Sequence, residues 1–183
     1  MRVAPRGDLH ELLDRYSSAP FSYDEVGATQ GELPAGYRHT RRVARLGAGR
    51  LVFDEASALL FGWEMHRRAG LTVATSGAAA AGRTVVLGFG LGLALVVPCR
   101  VVYVANEPRR HGFAYGTLAG HPEAGEESFA VVRDDDDVVW LHITAFSRPG
   151  SRLTRLAGPM GRAAQALVTR RYELALLPPG ERG

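Results

Sequence analysis

Apolar residues recur with one period over the first third of the chain and with another over the middle. Leu9 to Tyr16 reads as a short helix, with Asp8 and Glu11 in a capping-box-like arrangement and Ala19-Pro20 as its stop. Residues 21–36 mix Gly, Pro and polar groups and predict a long ordered loop. Tyr37 to Leu46 is a candidate strand, rich in Arg, and Gly47 and Gly49 break it. From Asp54 to Arg68 the spacing becomes helical. Ala56, Leu59, Leu60 and Trp63 share a face, acids occupy the first turn, Arg67 and Arg68 the last, and Gly70 follows as a cap. The pattern then turns to β. Candidate strands are Leu71–Thr75, Arg83–Phe89, Leu93–Asn106, Phe113–Leu118, Glu127–Arg133 and Val138–Phe146, with turns at 107–112 and 134–137. A last helix is predicted from Arg152 to Leu176 on the stripe Leu153, Leu156, Met160, Ala163, Leu167 and Leu174, kinked or broken early by Pro159.

Consecutive strands joined by short turns favour an antiparallel sheet, and the terminal helix has the stripe to cover one face of it. The expected class is therefore α+β: a helix-grip, in which a curved antiparallel sheet of about six to seven strands wraps a long C-terminal helix. No repeat or linker divides the chain. A single domain over 1–183 is expected, with 1–36 as an N-terminal helix-and-loop extension.

Composition narrows the chemistry. The 183 residues carry a formal charge of +3, too mild for a dedicated nucleic-acid binder. There is no lysine, which removes Schiff-base and P-loop lysine chemistry. Gly88-Phe89-Gly90-Leu91-Gly92 opens no helix and lacks the dinucleotide spacing, so no cofactor is expected. The single cysteine, Cys99, lies in an apolar run and reads as a packed thiol. The N-terminus has no apolar signal region, and the run Thr84–Pro98 is shorter than the ~20 residues of a membrane span. A cytoplasmic location without membrane insertion is expected.

Candidate chemistry gathers in residues 112–129, G-F-A-Y-G-T-L-A-G-H-P-E-A-G-E-E-S-F, at a bend between two strands. Alternation puts Glu127, Phe129 and Val131 on one face, and Phe113, Tyr115 and Thr117 on one face of the preceding strand. A carboxylate among apolar neighbours gains a partner or its pKa rises. Either Arg100 or Arg148 clamps Glu127 structurally, or Glu127 lines a cavity as a hydrogen-bond acceptor or general base. His121 reads first as a turn residue and second as an acid/base. His121, Glu123 and Glu127 match no standard metal spacing, so no metal is expected. Trp63 is a core residue or a pocket wall. Asp134 to Asp137 is a solvated hairpin tip, Ser147 a cap or turn hydroxyl, and no G-x-S-x-G elbow exists.

The segment Phe113–Leu118, Gly120–Glu123, Gly125–Glu127 and Phe129, with P-C-R-V-V at 98–102, A-F-S-R-P at 145–149 and R-R-Y at 170–172, resembles a bacterial and plant domain-of-unknown-function family. Ala119 departs from it, the family usually having Pro there. The resemblance covers nearly the whole chain and implies a START-like, birch-pollen-allergen-like helix-grip fold, but no catalytic residues. Three readings follow. In the first, the chain binds a small apolar or amphipathic ligand in an internal cavity lined by Trp63, Tyr115, Glu127, Arg100 and Arg148. In the second, it is a cofactor-independent cyclase, hydratase or isomerase with Glu127 as base and Tyr115 or His121 as proton donor. In the third, it is a structural or protein-interaction domain, with Arg38, Arg41, Arg42 and Arg45 facing an acidic partner. Nucleic acid is disfavoured because no aromatics are interleaved with those Arg.

Overall fold

A computed structural model describes residues 2–90, 92–150 and 170–177. Its strands are β1 Val3–Pro5, β2 Arg38–Ala48, β3 Thr72–Thr75, β4 Thr84–Phe89, β5 Leu93–Glu107, β6 Arg110–Thr117, β7 Glu123–Arg133 and β8 Val138–Pro149. Its helices are α1 Leu12–Ser17, α2 Arg50–Phe61 and α3 Glu64–Arg68, and residues 170–175 are also helical. The strands form one eight-stranded antiparallel sheet in the order β2-β8-β7-β6-β5-β4-β3. β1 pairs with Leu93–Leu95 of β5, beside the part of β5 that β6 does not reach. The expected count of about six to seven strands is therefore one or two short of the eight found. The expected terminal helix from Arg152 lies outside the described residues up to 169.

Two helix boundaries differ from the sequence reading. Residues 6–9 form a 3-10 turn, α1 starts at Leu12, and neither has a side-chain cap; the Glu11 amide instead bonds the Asp8 carbonyl at 3.2 Å. The predicted helix from Asp54 to Arg68 starts earlier, at Arg50, and breaks at Gly62-Trp63. Trp63 has φ +64°, a left-handed conformation rare for a bulky side chain, so α3 leaves in a new direction. Gly70, with φ +92°, does follow α3 as predicted.

Strand parity divides the sheet into two covered faces. On one face α2 and α3 bury Phe53, Leu60 and Met65 against Val101, Phe129 and Leu141. Each such side chain contributes about 1.5–3 kcal/mol. The opposite face holds a smaller core in which Leu9, Leu12 and Tyr16 pack on Val86, Val96 and Leu118. Beside it, Tyr23 and Leu33 pack on Ala124 and Phe146. Residues 6–36 thus cover the back of the sheet. A bulge in β5 sets Val101 opposite Tyr115 but Tyr103 opposite Ala114. The extra residue, Val102, turns Tyr103 to the back face, where its hydroxyl meets Thr29 Oγ1 at 2.9 Å.

Candidate functional site

The two neighbouring acids of β7 point to opposite faces, and their surroundings differ in kind. Glu126, on the back face, is 3% exposed and accepts four hydrogen bonds. The donors are the Tyr23 hydroxyl at 2.7 Å, the Gly27 amide at 2.7 Å, the Thr29 amide at 3.0 Å and the Thr29 hydroxyl at 2.5 Å. It pins the 21–36 loop to the sheet. Gly116 makes room for this clamp, since a Cβ there would lie 2.1 Å from the Tyr23 hydroxyl. Burial, and then the bond to Glu126, keep the Tyr23 phenol well above its usual pKa.

Glu127, on the helix face, stands directly across from Tyr115 of β6, whose hydroxyl donates to its Oε2 at 3.0 Å. The Tyr172 phenol lies beside Tyr115 and Glu127, which brings in the helical segment 170–175. Around this group stand Cys99, fully buried, and a set of rings. Trp63 and His66 are 5.1 Å apart, His66 and Tyr172 5.1 Å, Trp63 and Phe113 4.9 Å, and Tyr115 and Phe129 5.4 Å. Trp63 is fixed by its Nε1–H, which donates to the Gly77 carbonyl at 3.1 Å.

The electrostatics follow from the apolar wall. Burial raises the Glu127 carboxyl to about 7, against the Tyr115 hydrogen bond that lowers it, and the Glu123 charge raises it further. Burial and the Glu127 charge push the Tyr115 and Tyr172 phenols well up, and the Cys99 thiol up as well. Burial, with the Arg67 charge, lowers His66 to about 3. At neutral pH this group comprises a carboxyl near its midpoint, neutral phenols and a neutral imidazole. Such a set can hydrogen-bond a small ligand or exchange a proton with one.

The site residues expected from the sequence divide into two groups. Trp63, Tyr115 and Glu127 come together on the helix face. Arg100 and Arg148 do not join them, and neither clamps Glu127 as expected. Arg100 pairs across from Gly116 and Arg148 from Ala124, which is back-face parity. Arg100 Nη2 donates to the Tyr16 and Ser17 carbonyls at 3.0 and 2.7 Å, and Arg148 stacks over the Tyr37 ring at 4.5 Å. His121 stays in the β6–β7 turn as its first reading expected. Its Nδ1 lies 2.8 Å from both the amide nitrogen and the carbonyl oxygen of Glu123, and burial lowers its pKa to about 4. Among the described residues no hydrogen bond links it to Glu127. Of the β2 arginines, Arg38 pairs with Glu123 at 3.8 Å and Arg42 with Glu173 at 2.9 Å. Asp134 closes the acidic hairpin by accepting from the Val138 amide and the Trp140 indole at 2.9 and 2.8 Å. Ser147 lies in β8, as a partner of Glu123.

The sequence reading missed Tyr172 and the clamp at Glu126. Alternation could have found the second, because Glu126 must face away from Glu127. The Gly116 gap opposite it is the accompanying signal.

Comparison with known proteins places this geometry. The hypothetical protein jhp0584 of Helicobacter pylori superposes with a TM-score of 0.58 at 8% identity, over 86% of this chain and 94% of its own. A truncated norcoclaurine synthase of Thalictrum flavum does so at 0.51 and 11% identity, over 80% and 98%. At such identities the likeness shows the fold alone, an α+β antiparallel sheet of the helix-grip kind. A UPF0548 protein of Deinococcus radiodurans is 37% identical over 174 residues, covering 85% of each chain. The model of the domain of unknown function DUF1990 matches residues 22–175. The chain belongs to the DUF1990 family.

Proposed function

We propose that the chain binds a small apolar or amphipathic molecule between the helix face of the sheet and its helices, with Glu127 and Tyr115 as polar contacts and Trp63 as a wall. The observation that carries this reading is the state of Glu127. Its carboxyl is strongly desolvated while the residue is only partly buried, and among the described residues no arginine pairs with it. A carboxyl kept only for structure would be satisfied as Glu126 is. One facing a hollow among rings is free to meet a ligand. The test is a thermal-shift screen with lipids, sterols and polyketide-like aromatics, repeated on Glu127→Gln and Trp63→Leu. A ligand class that raises Tm in the parent and loses its effect in both variants supports the reading. Equal shifts in all three proteins, or none in any, would remove it.

A second reading rests on the same carboxyl. With a pKa of about 7 beside two phenols, Glu127 is poised to act as a general base in a cofactor-independent cyclisation, hydration or isomerisation. Turnover whose rate inflects near the Glu127 pKa and disappears in Glu127→Gln would favour it over simple binding. Among the described residues no helix is long and apolar enough to cross a membrane. A cytoplasmic location is part of the proposal, and cell fractionation tests it.

A further inference from the structure

Between α3 and the helical segment 170–175 lies an open cleft of about 280 Å³. Arg68, Ala69, Gly70, Arg171, Leu174 and Ala175 line it. Its chemistry is divided. One part is cationic: Arg68 is held in place by Glu64 at 3.2 Å and by the Ala175 carbonyl at 3.3 Å, while Arg171 has no acidic partner among the described residues. The Arg171 guanidinium reaches over Gly70, where a Cβ would lie 3.4 Å from Nη1. The other part is apolar. Leu174 is 42% exposed and offers an apolar surface, and Ala69 and Ala175 form a floor continuous with the core. Glu64 offsets one guanidinium and is already shared between Arg67 and Arg68, so the cleft carries excess positive charge beside an apolar surface.

We propose that this cleft is a second binding site, separate from the Glu127 chamber, and that it takes a small amphipathic carboxylate. The head group sits between Arg171 and Arg68, and the short apolar body lies on Leu174. Arginine suits this role because its planar fork meets a carboxylate with two parallel hydrogen bonds. The volume is at the small end of the ~300–1,000 Å³ usual for ligand pockets, which points to a compact acid rather than a long-chain lipid.

The test uses octanoate, with 1-octanol as its uncharged counterpart, followed by amide chemical-shift mapping on the full chain. Octanoate is expected to move the Gly70, Arg171 and Ala175 amides. Its affinity should fall by about tenfold or more in Arg171→Ala, as loss of a charge-assisted hydrogen bond implies, and stay closer to the parent in Arg171→Lys. Leu174→Ser should weaken it by a smaller factor, and 1-octanol should leave these amides unmoved. Equal binding of the acid and the alcohol, or an Arg171→Ala affinity equal to the parent's, overturns the proposal. Octanoate shifts centred on Tyr115 and Glu127 also overturn it, and they would support the chamber reading. Arg171 is exposed, so its loss is not expected to unfold the chain.

Discussion

Replacing Glu127 by Gln removes a carboxyl whose pKa the fold moves into the neutral range. In the folded chain it titrates at about 7, against 4.5 unperturbed. The folded state therefore holds this proton more tightly than the unfolded state. The contribution to stability is complete below about pH 4.5 and is lost as pH rises through about 7. The loss corresponds to at most about 3 kcal/mol, and residual solvent contact at Glu127 makes this an upper limit. Gln does not titrate, and its carbonyl still accepts from Tyr115. The stability of Glu127→Gln relative to the parent should thus grow by up to ~3 kcal/mol between about pH 4.5 and 8. Urea denaturation of both proteins across that range measures it. Taking the difference between the two cancels the histidines, which slope the other way: the stability tied to His66 and His121 is present above about 6.5 and lost as pH falls towards their lowered values. A parent-to-variant difference that stays flat with pH would refute the desolvated carboxyl and the chamber reading built on it.

Further expectations concern the walls of the same fold. His66 is fully buried and, among the described residues, neither ring nitrogen has a hydrogen-bond partner. His66→Phe should therefore keep or raise stability at neutral pH, by about 1–3 kcal/mol if the unpaired nitrogens cost their usual amount. It should also move the acid-unfolding midpoint to lower pH, as circular dichroism would record. Glu126→Ala strands the Gly27 and Thr29 amides and two hydroxyls, and should cost about 3–5 kcal/mol, with early hydrogen exchange in residues 22–30. Gly116→Ala forces a methyl against the Tyr23 hydroxyl and should cost about 1–3 kcal/mol in a denaturant melt. Tyr23→Ala in the same chain should recover part of that cost, as a double-mutant cycle would reveal.

The sheet was legible because its strands alternate and its turns carry Gly, Pro and Asp. β1 was not, since Val3–Pro5 is too short to show any period and is a strand only because β5 extends past β6. The break between α2 and α3 was hidden for a different reason. Apolar spacing runs through Leu60 and Trp63 without a fault, and nothing in an indole announces a left-handed backbone. At the site, alternation correctly put Glu127, Phe129 and Val131 on one face. The arginines were misassigned because parity must be carried across register. Only the pairing of Arg100 with Gly116 and of Arg148 with Ala124 places both guanidiniums behind the sheet. Tyr172 is a contact across 57 positions from Tyr115, and no local pattern encodes such a distance.

Because Glu126 and Glu127 are neighbours on one strand, the loop fastened behind the sheet and the Tyr115–Glu127 pair in front of it share a single stretch of backbone. That strand is paired on both sides, with β6 and with β8, so the two acids keep a fixed relation to one another through the sheet.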